Sequence, residues 1–112
     1  MKKIVSLAAI LILPVWIALA QAPGNAENGK KLFLRNGCYE CHGTVGQGGV
    51  GPRLAPRPMP AVALTAFVRK PSGNMPPYSA KVMPDSDVAD VRAYLASIPD
   101  PPPVQSIPIL RP

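Results

Sequence analysis

The residues of this chain best suited to chemistry are Cys38-Tyr39-Glu40-Cys41-His42. Two cysteines three apart, with a histidine directly after the second, read as a c-type haem attachment site. The spacing has a chemical reason. Residues i and i+3 lie on one face of a helical turn, so two thiols placed there can add to the two vinyl groups along one edge of a haem. His42 is then held under the iron, where an imidazole nitrogen can ligate it. Other uses of these residues are poorly supported. A zinc site needs a fourth ligand, and the chain has no other His or Cys, which leaves only a carboxylate, uncommon in a structural site. A thioredoxin-like redox pair belongs with a βαβ pattern, and no convincing strand is visible. A disulfide across so small a loop would bring little stability.

A second ligand to the iron would have to come from elsewhere. Beyond the N-terminal leader the chain offers Met59, Met75 and Met83, each of which also reads as flexible core filler. Met75 is favoured. It stands in Asn74-Met75-Pro76-Pro77-Tyr78, where two prolines have fixed φ and no amide hydrogen. They hold the backbone extended, so the side chain before them projects in a defined direction. A loop and a helix separate Met75 from His42, enough chain to travel round a haem edge. Met59 lies inside the loop expected on the His42 side, and Met83 precedes the last helix, where packing is its simpler role. A His/Met pair raises the reduction potential.

The elements that must position these groups are helical. Asn25 is a candidate N-cap for a helix over 27–36, in which Gly29, Leu32 and Phe33 share a face and Gly37 supplies a left-handed end. Glycine at 29 suggests close approach of another helix. Residues 43–60 are a Gly/Pro-rich loop without period, containing Gly51-Pro52-Arg53-Leu54. The rigid Pro52 is expected to set its own carbonyl beside His42. A short helix follows over 61–70, with Ala61, Leu64 and Val68 as its apolar stripe, stopped by Pro71. The strongest helix runs over 85–98, with Val88, Val91, Leu95 and Ile98 at helical spacing and Asp85 and Asp87 in its first turn. From Asp100 the chain is Pro-rich and expected to be extended.

The first 20 residues read as a secretory signal peptide. Lys2 and Lys3 precede an uncharged run from Ile4, and Ala18-Leu19-Ala20 places small residues for cleavage before Gln21. Retention as an anchor is the alternative. The expected organisation is a signal over 1–20, a haem domain over 21–99 and a Pro-rich tail over 100–112. All but one of the 16 prolines lie beyond the leader, so a small chain has much loop and little core of its own. A buried macrocycle would supply the missing apolar centre. Lys+Arg number 12 against 6 Asp+Glu. With two lysines in the leader, the rest stays mildly basic, which favours acidic partners or anionic membrane surfaces. Dispersed basic residues and the lack of a nucleic-acid motif argue against nucleic acid.

Taken together, these motifs resemble a class I cytochrome c, the small monohaem type, and its shorter bacterial members in particular. The resemblance covers about 25–98. It rests on Gly29 and Phe33, on Cys38 to His42, on Gly51-Pro52-Arg53-Leu54, on Met75-Pro76-Pro77-Tyr78 and on Ala93-Tyr94-Leu95. It implies an all-α fold of three to four helices wrapped around one haem c, covalently attached through Cys38 and Cys41, with His42 and Met75 as axial ligands. It further implies that the Pro52 carbonyl accepts a hydrogen bond from the far nitrogen of His42. Leu54 would line the haem pocket, and Gly29 and Phe33 would pack on Tyr94 and Leu95. Tyr78 and Arg53 are candidates for the propionates.

The function expected is single-electron transfer by an exported, periplasmic carrier, not an enzyme, serving redox protein partners such as a donor dehydrogenase or cytochrome complex and an acceptor oxidase. No nucleic acid and no small-molecule substrate are expected, and membrane association only if the signal is retained. Lys30, Lys31, Arg53, Arg57, Arg69, Lys70 and Lys81 could ring the haem edge and steer docking. Two rival readings remain. One is a haem-bearing subunit permanently docked in an exported dehydrogenase complex. The other is a haem enzyme or gas sensor in which Met75 does not bind.

Overall fold

The computed structural model describes residues 23–110. The expected signal over 1–20 lies outside the described residues. Four helices are present in chain order, α1 (Ala26–Arg35), α2 (Cys38–His42), α3 (Ala61–Arg69) and α4 (Asp85–Ser97), with two 3-10 turns near the end. There is no strand among the described residues, and the fold is all-α, as in a small cytochrome c. No helix among them is long and apolar enough to cross a membrane.

Local chemistry sets the helix ends. The Asn25 side chain accepts from the Asn28 amide at 2.9 Å and caps α1. At the other end Asn36 donates both its backbone and its side-chain N–H to the Leu32 carbonyl, and Gly37 turns the chain with φ +73°. That left-handed residue lets α2 begin at once on a new axis. The helices over 61–70 and 85–98 each end one residue earlier than expected, at Arg69 and Ser97. Lys70 and Ile98 both precede a proline, whose ring disfavours helical geometry in the residue before it.

α1 and α4 cross at close range. A Cβ on Gly29 would fall on the Asp90 carbonyl, and one on Gly24 on that of Ala89. Phe33 lies against Tyr94 with ring centroids 5.6 Å apart and planes tilted by 57°, a favourable aromatic geometry. The resemblance paired Gly29 with Tyr94 and Leu95. The glycine instead meets α4 one turn earlier, and Phe33 makes the aromatic contact. The Asp90 carboxylate accepts from the Asn25 amide at 2.6 Å and from Asn28 Nδ2 at 2.7 Å, which ties the start of α1 to the middle of α4.

The core falls into two clusters. Leu32, Phe33, Ala55, Val91, Tyr94 and Leu95 form the first, with Cys38, Leu54 and Ile98 packed on it. Leu64, Val68, Met83 and Val88 form the second, with Met75 and Tyr78 at its edge. Each is small, which suits a domain that completes its apolar interior with a prosthetic group.

The expected extended tail is corrected in part. Residues 104–110 coil into 3-10 turns at Val104–Ser106 and Pro108–Leu110. Ser106 closes the first turn with its amide and its hydroxyl both on the Pro103 carbonyl. A serine three residues beyond the proline run is the local signal for that turn.

Candidate haem-attachment site

α2 is a five-residue helix made of the motif itself. Its i, i+3 spacing sets Cys38 and Cys41 on one face. Both are free thiols, Cys38 half-buried and Cys41 exposed. Burial pushes the Cys38 thiol above its ordinary value, opposed in part by a backbone hydrogen bond. His42 is buried, at 8% exposure.

The loop after α2 is folded back onto the motif by backbone hydrogen bonds. Gly48 donates to the His42 carbonyl and Gly51 to that of Cys41, each at 2.8 Å. Leu54 and Ala55 both donate to Gly46. This brings the Pro52 carbonyl within 2.8 Å of His42 Nδ1. A carbonyl only accepts, so Nδ1 is the donor, and in the neutral ring Nε2 is then the nitrogen that keeps its lone pair. The loop can approach so closely because position 51 has no side chain. A Cβ there would stand 2.9 Å from both Cε1 and Nδ1 of the imidazole.

Met75 lies at the edge of the second cluster, half-buried. Met83 is fully buried in that cluster, at 2% exposure, in agreement with a packing role. Met59 is exposed at 38%, and its carbonyl accepts from Arg92 Nε. Leu54 packs on the first cluster and lines a cleft of about 240 Å³, together with Arg53, Arg57, Met59, Leu64 and Leu95. The cleft draws its walls from both clusters, although neither cysteine nor Met75 lines it.

Tyr78 differs from the expectation. Its hydroxyl donates to the Asn36 carbonyl at 2.7 Å, so the phenol ties the Met75 segment to the end of α1 rather than standing free for a propionate. Arg53 also has a partner, donating from Nε to Ala55 at 2.8 Å, while its side chain still lines the cleft. The sequence places Asn36, Asp90 and Arg69 within expected helices and Arg69 among the surface cations, without pointing to the contacts they make. Each acts through a contact distant in sequence, and only the local capping chemistry of Asn36 was available as a signal.

The donor set fits a haem. It comprises two unjoined thiols on one helical face, an imidazole with a free Nε2 and an oriented Nδ1, and a thioether on the edge of a separate apolar cluster. Among the described residues no group of His, Cys, Asp and Glu is arranged to hold a bare metal ion.

Comparison with known proteins agrees with this geometry. Residues 24–95 match the family model described as cytochrome c oxidase, cbb3-type, subunit III. The chain is also similar to the 4-cresol dehydrogenase [hydroxylating] cytochrome c subunit of Pseudomonas putida. The two are 29% identical over 102 residues, covering 89% of this chain and 88% of that protein. No solved structure matches the chain.

Proposed function

This chain belongs to the monohaem c-type cytochrome family, and from that premise we propose that it serves as the electron-transfer subunit of a dehydrogenase, docked on a catalytic partner and exported with it. As a c-type cytochrome it carries haem c covalently through Cys38 and Cys41, and its work is electron transport between redox proteins. Similarity along nearly the whole chain to a dehydrogenase's cytochrome subunit is the observation that favours the docked subunit over the free carrier put first by the sequence reading. Catalysis on a substrate then belongs to the partner. Residues 1–20 as signal, 21–99 as haem domain and 100–112 as tail remain the organisation we propose, with the periplasm as its compartment.

A bound haem supplies a one-electron couple at its iron. The chain's own residues do the rest. Cys38 and Cys41 would hold the ring through thioethers. His42 would offer Nε2 as one ligand to the iron, and the hydrogen bond from Nδ1 to Pro52 orients the imidazole and would raise its basicity. Met75 would offer its thioether as the other, a pairing that would favour the reduced state. Leu54 and Leu64, which line the cleft between the two clusters, would exclude water. With both ligands in place no position would be left open for a substrate, which separates this reading from a gas sensor or haem enzyme.

The subunit reading is tested by purifying the tagged chain from its native host under mild conditions and sizing the haem-absorbing species. A particle far larger than the 11.8 kDa chain, containing a dehydrogenase that reduces the haem when given its substrate, is expected. A haem-bearing monomer alone would return the assignment to the free carrier.

A further inference from the structure

Met75 and Tyr78 are the two ends of a short irregular segment with Pro76 and Pro77 between them, and Tyr78 is held from three directions. Its amide donates to the Val68 carbonyl in α3 at 2.9 Å. Its carbonyl accepts from Arg69 Nη1 at 3.0 Å. Its hydroxyl donates to the Asn36 carbonyl at 2.7 Å, two residues before Cys38. Arg69 reaches further, with Nη2 on Asp85 in the first turn of α4. A guanidinium is a planar fork, so the nitrogen bound to Asp85 fixes the direction in which the other points. The ends of α1 and α3 therefore meet at Tyr78, and Arg69 links that residue to the start of α4. Two prolines with fixed φ carry that placement stiffly back to Met75.

We propose that Arg69 and Tyr78 are positioning residues that latch the Met75 segment and set how readily its thioether leaves the iron. The proposal rests on Met75 as axial ligand. The Arg69–Asp85 pair adds little as an ion pair, because the Asp85 side chain is 75% exposed. Its part is geometric, holding the donor that grips the Tyr78 carbonyl. A residue that merely supported the fold would lower global stability without changing ligand exchange at the haem.

Imidazole titration of the purified ferric protein separates the two roles. An added ligand binds only where Met75 has let go, so its apparent affinity rises with the fraction released. Arg69→Leu is expected to raise imidazole affinity roughly tenfold, the worth of one charge-assisted hydrogen bond. It should also weaken the long-wavelength band of Met-ligated ferric haem. Tyr78→Phe deletes one hydroxyl and is expected to act in the same direction by a few-fold. It carries the test if Arg69→Leu does not fold. Arg35→Gln, which removes the Arg35–Asp87 contact at 3.9 Å elsewhere on α1 and α4, should bind imidazole as wild type does. Wild-type imidazole affinity in Tyr78→Phe overturns the latch, as does an equal rise in Arg35→Gln. Met75→Ala tests the premise separately. If the band survives that substitution, the ligand assignment falls and the latch with it. If the band is lost while the Tyr78 and Arg69 variants behave as wild type, the latch alone is overturned.

Discussion

At the scale of single residues, the placement of the His42 ring depends on a neighbour with no side chain. Gly51→Ala would set a methyl 2.9 Å from Cε1 and Nδ1 of the imidazole, so either the ring or the Pro52 carbonyl must give way. The expected cost is about 1–3 kcal/mol, as for other overpacked sites. It is read from guanidinium unfolding of the haem-bearing protein, with a lowered reduction potential if the Nδ1 hydrogen bond lengthens. Wild-type unfolding and potential would show that the loop absorbs the methyl. Tyr78 gives a pH prediction. Burial first, and then the charges of Cys38, Cys41 and Glu40, push its phenol above the ordinary value of 10.0. The folded state thus holds this proton more tightly than the unfolded chain does. The associated stability is complete below about pH 10 and is lost as pH rises through the raised pKa. Thioether formation removes the two cysteine charges and leaves the sign unchanged, because burial remains. Unfolding midpoints measured from pH 9 upward should fall more steeply in wild type than in Tyr78→Phe, and parallel slopes would count against the assignment.

At the scale of elements, the α1–α4 crossing is the part of the fold that bears most on the site, because α2 follows α1 after a two-residue turn. Phe33 is completely buried in that crossing. Phe33→Ala should cost about 3–5 kcal/mol, which in a domain of this size lowers the thermal midpoint by roughly 4–8 °C per kcal/mol. Gly29→Val is expected to be no milder, since its side chain would have to displace the backbone of α4 at Asp90. Calorimetry of both variants checks this, and a loss below 1 kcal/mol in either would mean the helices separate easily. The crossing was legible in the chain because Gly29, Leu32 and Phe33 recur at helical spacing, as do Val88, Val91 and Leu95. The exact partner of Gly29 was not, since a shift of one turn along α4 leaves the same apolar face in contact.

At the scale of the whole molecule, part of the basic surface is already engaged in ion pairs. Lys31, Arg57 and Arg69 are paired with Glu27, Asp100 and Asp85, which weakens the idea of a ring of seven free cations. No ion pair among the described residues engages Lys30, Lys70 or Lys81. With a net positive chain, association with an acidic partner should slow as salt rises. Second-order reduction rates measured from about 0.02 to 0.5 M salt test this, screening being nearly complete beyond the Debye length at the upper end. Rates indifferent to salt would remove electrostatic steering from the account.

The sequence alone determined what is covalent and what is periodic. The haem-binding motif is legible because its chemistry lies within one helical turn, and the helices are legible because burial repeats every 3.6 residues. The approach of Pro52 to His42 could be anticipated because a Gly-Pro pair ten residues on leaves the loop few ways to run. Only the tertiary structure decided that Tyr78 grips Asn36, that Arg69 bridges Tyr78 and Asp85, and that Asp90 anchors the start of α1. These hydrogen bonds join residues from 9 to 65 positions apart. No local pattern specifies such partners, because they follow from how the helices cross once both clusters have packed.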